Sequence, residues 1–271
     1  MWTTFAFVAV LGLAPGQPGS LALTNVRTTY GVLGAPRPDN KFLPGDEFTL
    51  SFDMEGVKVD AAGKLFYSIG MEVTDRDGKP QFKQDPREQQ ATNSLGGNSL
   101  PACANLQIGT DHAPGTYTLK VTVTDLVAKS SQTLTSTYEV LEKDFGLVRP
   151  AVTADPEGRF PAPCVGEGQS IWVNFAAVGF ARDKDKGQPN LSVTMTIFKE
   201  RGEPTVDKPA KGEVVNQDVP AKALALPMQF ALAPNRAGKF TVALKATDKV
   251  TGKTATLSFP LTVLKPAGSG K

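Results

Sequence analysis

Few side chains in this sequence are placed to do chemistry, and each lacks the companions that its chemistry needs. His112 is the only histidine, in the loop Thr110-Asp111-His112-Ala113-Pro114. A nucleophile triad needs a base next to its nucleophile, and a zinc site needs several ligands. His112 has neither in the sequence around it, so it is expected to be a solvated turn residue. Asp75-Arg76-Asp77-Gly78 and Asp183-Lys184-Asp185-Lys186-Gly187 set carboxylates on alternate residues, as oxygen-ligand calcium loops do. Neither continues into the longer loop, closed by a glutamate, of an EF-hand, and the intervening Arg76, Lys184 and Lys186 would oppose a cation. Asp-Gly is also a common hairpin turn. Acid–base hydrolysis needs carboxylates held in apolar surroundings that raise a pKa. Asp and Glu number 27, yet none interrupts an apolar face. No catalytic, cofactor-binding or metal-binding residue is therefore assigned, no cofactor is expected, and the chain is expected not to be an enzyme.

The elements that carry these residues show a duplication. Gly115-Thr-Tyr117-Thr-Leu119-Lys-Val121-Thr-Val123-Thr-Asp125 recurs as Gly238-Lys-Phe240-Thr-Val242-Ala-Leu244-Lys-Ala246-Thr-Asp248, an offset of 123 residues. Phe48, Leu50 and Phe52 match Ile171, Val173 and Phe175 at that offset, as Leu134, Tyr138 and Val140 match Leu257, Leu261 and Val263. Tyr67, Ile69, Met71 and Val73 match Leu191, Val193, Met195 and Ile197 one residue further on, which implies a single loop indel. Every matched block alternates apolar and polar, so alternate side chains lie on opposite faces of a strand. Half-buried alternation predicts antiparallel sheets with one solvated face, and no long segment carries a helical period. The class is all-β. Strands are expected near 25–33, 48–54, 65–74, 80–83, 102–109, 116–125 and 133–141, and again near 146–153, 170–177, 190–198, 204–207, 224–232, 239–248 and 254–264. Lys83 to Leu100 is expected to be a long loop or disordered. Pro260 lies inside the last strand, so that strand should be an edge or bulged there.

Length and charge narrow the classes further. A chain of 271 residues suits two domains: an N-terminal signal at 1–22, domains at 23–141 and 145–265, and a flexible tail at 266–271. The net charge is +2, with no basic block interleaved with aromatics, which removes the electrostatic case for nucleic acid. Phe5 to Ala14 is an apolar run followed by Pro15 and Gly16, with Ser20-Leu21-Ala22 as a small-x-small cleavage site. No Lys or Arg precedes Arg27. The run is too short to span a bilayer. Export to an extracytoplasmic location is expected, with no membrane insertion of the mature chain.

Ala113-Pro-Gly115-Thr-Tyr117-Thr-Leu119 resembles the sixth strand of immunoglobulin-like domains, in which a tyrosine hydroxyl satisfies upstream backbone in a "tyrosine corner". The pattern over the mature chain is similar to tandem bacterial immunoglobulin-like or fibronectin-III-type repeats. The resemblance implies two tandem antiparallel β-sandwiches. It departs from antibody domains at Leu119, Val242, Leu50 and Val173, where the inter-sheet disulfide would sit, and in lacking the third-strand Trp. Trp172 is on the second strand with outward parity, and Phe240 replaces the corner tyrosine in the second copy. In such a fold Cys103, at the start of the fifth strand, and Cys164 lie at opposite ends of an extended tandem, too far apart for the ~7 Å that a disulfide allows. Pairing would need the domains to fold back side by side.

Together these features imply a non-enzymatic interaction or structural module, with an unidentified protein or polysaccharide partner in the cell envelope. Its binding end is expected where Glu55 to Gly63 and Leu126 to Gln132 cluster. Two alternatives stand beside it. A carbohydrate-binding module would show adjacent exposed aromatics, for which Phe66 and Trp172 have the parity. A subunit of an envelope complex would show a long, flat edge strand.

Overall fold

The computed structural model describes residues 20–215 and 218–265; most of the expected signal segment and the expected tail lie outside them. The first copy comprises β1 (Ala22–Thr29), β2 (Lys41–Phe42), β3 (Glu47–Glu55), β4 (Lys64–Asp75), β5 (Pro80–Thr92), β6 (Ser99–Gln107), β7 (Gly115–Asp125) and β8 (Ser130–Val140). The second comprises β9 (Gly146–Thr153), β10 (Val165–Gly166), β11 (Ile171–Val178), β12 (Asn190–Lys199), β13 (Ala210–Val215), β14 (Ala225–Leu232), β15 (Gly238–Asp248) and β16 (Thr254–Leu264). A three-stranded sheet β1-β3-β6 faces a five-stranded sheet β2-β8-β7-β4-β5, and β9-β11-β14 faces β10-β16-β15-β12-β13 in the same order. Among the described residues all strand pairings are antiparallel except the short β2–β8 and β10–β16 contacts. The protein is all-β, two tandem immunoglobulin-like sandwiches.

The alternating pattern builds these layers. Phe48, Leu50, Phe52 and Met54 of β3 and Tyr117, Leu119, Val121 and Val123 of β7 point into one core. Thr118, Thr122 and Thr124 turn outward, where Thr122 and Thr124 meet Thr133 and Ser131 across the β7–β8 pair. Removing each large apolar side chain from water contributes about 1.5–3 kcal/mol, so inward alternation outweighs the weak strand propensities of the polar face. The second core gathers Ile171, Val173, Leu191, Val193, Val242 and Leu244.

The duplication extends to polar detail. Asp125 and Asp248 close β7 and β15 and are almost fully buried. The Asp125 carboxylate accepts the N–H groups of Val127 and Ala128 in the next turn and of Lys58 in the loop after β3. Asp248 accepts those of Val250 and Ala181, the latter equivalent to Lys58, together with the Thr251 hydroxyl. In both copies a buried threonine at the end of the first strand, Thr29 or Thr153, binds a carbonyl two residues on and a polar side chain on the second strand, Ser51 or Asn174.

Several sequence expectations need correction. β5 runs to Thr92, so most of Lys83 to Leu100 is strand and turn: its Gln-rich residues are nearly all exposed on a solvated edge strand, which carries no apolar period. The fourth strand of the second copy is Ala210–Val215, not 204–207; Pro204 contributes only an isolated bridge to Phe198. β2 and β10, two residues each, gave no period to detect. β6 starts at Ser99, which puts Cys103 opposite Ser51 in mid-strand rather than at the strand's start. Pairing with β3 and β11 aligns Cys103 with Gln229, so the copies differ by more than one indel. Pro260 sits opposite Thr241 on β16, short of the point where β10 joins at Val263, so the strand is an edge there.

Candidate functional site

Polar and aromatic side chains converge where the two sandwiches meet. After β1 the chain leaves domain one as a strap, residues 30–37, before returning as β2. Tyr30 on this strap is buried within the core of domain two: its hydroxyl donates to the Ser258 carbonyl at 3.2 Å and its ring lies 5.8 Å from Phe259. Burial raises its pKa, against the lowering effect of Arg37, so the phenol remains a donor. The same loop of domain two, Ala154-Asp155-Pro156-Glu157-Gly158, is polar where the strap reads Tyr30-Gly31-Val32-Leu33-Gly34. That contrast between copies is the sequence signal that marks the strap.

Asp46, in the turn before β3, is 3 % exposed and holds the joint. Its Oδ1 accepts the N–H of Arg149 on β9 at 2.8 Å and of Glu47 at 2.9 Å, and its Oδ2 accepts Arg37 Nη1 at 3.0 Å. Arg149 Nε donates in turn to the Gly45 carbonyl at 2.6 Å. Arg37 stacks over Phe42, 4.1 Å from guanidinium to ring centre, and donates to the Lys41 carbonyl. Arg149 has a φ of 51°, a left-handed conformation that costs a side-chain-bearing residue about 1–2 kcal/mol; the bonds to Asp46 and Gly45 offset it. Gly45 has no room for a side chain, since a Cβ would lie 2.9 Å from Val178. Leu43 packs on Val148 and Val178, and Lys253 pairs with Asp144 at 2.6 Å. The equivalents of Asp46 and Arg149 in the other copy are Gln169 and Asn25. Asn25 keeps the left-handed backbone (φ 50°) but turns its side chain to Asp53.

A groove of about 650 Å³ runs along this joint between the strap, β9 and β16. Its charged groups, Arg27, Arg37, Glu47 and Arg149, already bind Asn25, Lys41, Asp46, Gly45 or Thr49. Among the described residues that line it there is no carboxylate pair and no nucleophile–base pair.

The residues singled out in the sequence fall elsewhere. The His112 ring is half-buried, not solvated; it packs at 4.6 Å against Tyr117, and burial lowers its pKa against the opposing pull of Asp111. Tyr117 forms the corner, donating to the Ala113 carbonyl at 2.9 Å. Asp75 Oδ1 accepts the N–H groups of Asp77 and Lys79, and Asp183 Oδ1 that of Lys186. Those backbone bonds, from Lys79 and Lys186 first, hold both carboxyls below the ordinary range; the carboxylates are occupied in closing their turns. Among the described residues no group of three or more His, Cys, Asp and Glu side chains is placed to hold a metal. Cys103 and Cys164 are free. Burial, with Glu47 nearby, pushes the Cys103 thiol up and away from a reactive thiolate.

The loops at the far end of domain one do converge. Val57 donates to the Asn98 carbonyl, Asn93 to that of Gly63, and Lys58 to Asp125, beside Val127 and Ala128. Of the exposed aromatics, Phe66 lies opposite Gln90 and Phe82 opposite Val73, so the β4–β5 face carries no paired aromatic platform for a sugar ring. The edge strand β5 is long, but it is bulged at two places and carries Pro80 and Pro86, as strands that avoid edge pairing do.

No family model matches the chain, and no curated protein matches it. Among solved structures it is similar to the C-terminal domain of the AgI/II polypeptide BspA of Streptococcus agalactiae, with 10% identity over 88% of this chain and 99% of that one, at a TM-score of 0.29. It is also similar to red sea bream transglutaminase (7% identity, 91% of this chain and 31% of that, TM-score 0.27). A third likeness is to the Pseudomonas fluorescens alkylpurine DNA glycosylase AlkC (15% identity, 45% and 31%, TM-score 0.29). The chain thus spans under a third of the two enzymes and nearly all of the BspA domain. Superpositions this loose say nothing of ligand or activity.

Proposed function

We propose that the chain is an extracytoplasmic, non-enzymatic interaction module whose two sandwiches are locked into one body, holding the loop cluster at the far end of domain one at a fixed place. The observation that carries this reading is the use made of the buried carboxylates. Asp46, Asp125 and Asp248 each accept backbone N–H groups that tie loop to loop or domain to domain, and none faces a second acid or a base across a cavity. An active site keeps such groups uncommitted and aimed at a substrate. Rigid sandwiches with committed interiors leave their loops to recognition.

The purified, labelled chain should bind isolated cell-envelope material saturably. Reversing the exposed charges of the free-end loops, as in Lys58→Glu with Lys129→Glu, should weaken that binding while leaving the unfolding midpoint unchanged. Absence of saturable binding would sink the reading. So would turnover of a chromogenic ester, glycoside or phosphoester that is lost on changing a single carboxylate.

A further inference from the structure

The two copies fill one region of the sandwich differently. In domain one, Phe42, Phe48, Tyr117 and Tyr138 form a continuous ring cluster, with centroids 5.0 Å apart for Phe48–Tyr138 and 5.6 Å for Tyr117–Tyr138. Tyr138 is fully buried. The equivalent residues of domain two are Val165, Ile171, Phe240 and Leu261. Where Leu261 stands for Tyr138 a ring is lost, and a groove of about 400 Å³, open to solvent, lies beside it. Met195, Ile197, Leu232, Phe240, Leu261 and Val263 wall it. Val73, Leu106 and Tyr117 of domain one are buried, whereas their counterparts Ile197, Leu232 and Phe240 are only half-buried.

The mouth has a sign. Among the described residues Lys208 and Arg236 are the only ionisable groups lining the cavity, and no carboxylate accompanies them. Neither makes an ion pair among the described residues, although Arg236 lies 5.4 Å from the centre of the Phe240 ring. Val206, 59% exposed, stands at the same opening on the loop between β12 and β13. An apolar groove of this size with a doubly cationic rim complements one ligand class. We propose that domain two binds a free long-chain carboxylate, its alkyl tail against Leu261, Phe240 and Met195 and its head between Lys208 and Arg236. This goes beyond the interaction role, which rests on the far end of domain one and stands or falls separately.

Titration calorimetry of the whole chain with dodecanoate, below its micellar concentration, tests the proposal. Saturable one-to-one binding is expected, weakening about four-fold for each methylene removed from the tail. Dodecyltrimethylammonium, with the same tail and the opposite charge, should bind at least about ten-fold more weakly. Leu261→Tyr, which installs the domain-one residue, should abolish binding. Because an overpacked core can unfold, Arg236→Glu at the exposed mouth gives a second arm: a loss of about ten-fold or more with an unchanged circular dichroism spectrum. No saturable binding of dodecanoate, equal binding of the cationic amphiphile, or full affinity in Arg236→Glu would each overturn the proposal.

Discussion

Tyr117 and Phe240 occupy equivalent places, and the single oxygen between them has a measurable worth. The Tyr117 hydroxyl donates to the Ala113 carbonyl while its ring packs between His112 and Tyr138. Tyr117→Phe keeps the packing and removes the bond, so urea denaturation should show a loss of about 1 kcal/mol. Asp125 is a heavier case. Asp125→Ala leaves the N–H groups of Lys58, Val127 and Ala128 without their acceptor in a nearly buried site, and the expected loss is about 3 kcal/mol or more. The sequence marked Asp125 and Asp248 as the ends of a repeat. It did not show their role, because an aspartate that caps loops and one that faces water have the same local pattern. Tyr138 shows the converse: its alternation places it in the core, but nothing local reveals that its hydroxyl has no hydrogen-bond partner among the described residues and that burial pushes its pKa up.

At the scale of strands, legibility followed the water. β7, β8, β15 and β16 bury one face and leave the other to water, and β3, β4, β11 and β12 carry apolar residues at alternate positions, so their positions were readable within a few residues. β5 and β13 are edge strands with little apolar content, and β2 and β10 are too short to carry a period. β2 and β10 pair with β8 and β16, neighbours distant in sequence, which no window can see. Turn chemistry was readable in type but ambiguous in purpose: Asp75 suits a cation loop or a hairpin, and its bonds decide for the hairpin. Backbone donors hold its pKa below the unfolded value. The stability it contributes is therefore complete above the ordinary carboxylate range and is lost as pH falls through the lower folded-state value. Amide hydrogen exchange at the β4–β5 turn should stay slow at mildly acidic pH and, after correction for intrinsic rates, lose protection only below the ordinary carboxylate range, before the core strands do. The start of β1 bears on processing. Leu21 is 2% exposed in the core of domain one, so cleavage after Ala22 would remove a packed side chain. If the N-terminal segment is cleaved on export, intact-mass measurement of the mature chain should place its first residue at or before Leu21.

Across the whole molecule, the joint should couple the two sandwiches in unfolding. Tyr30 belongs to one domain by connectivity and to the other by burial, so unfolding either exposes it. Calorimetry should show one transition for the native chain, and two for Tyr30→Ala, which forfeits up to about 3–5 kcal/mol of aromatic packing. None of this was visible in the repeat itself, because a junction is where equivalent copies must stop being equivalent. Asp46 and Arg149 make a contact between unlike surfaces, the kind that propagates into rings or open fibres when every unit carries both halves. In this chain each half occurs once. Asn25 holds the place of the arginine on the first sandwich, and Gln169 that of the aspartate on the second. The outer ends therefore lack the aspartate and arginine side chains that make the inner contact, so a second molecule meeting either end would find a different surface there.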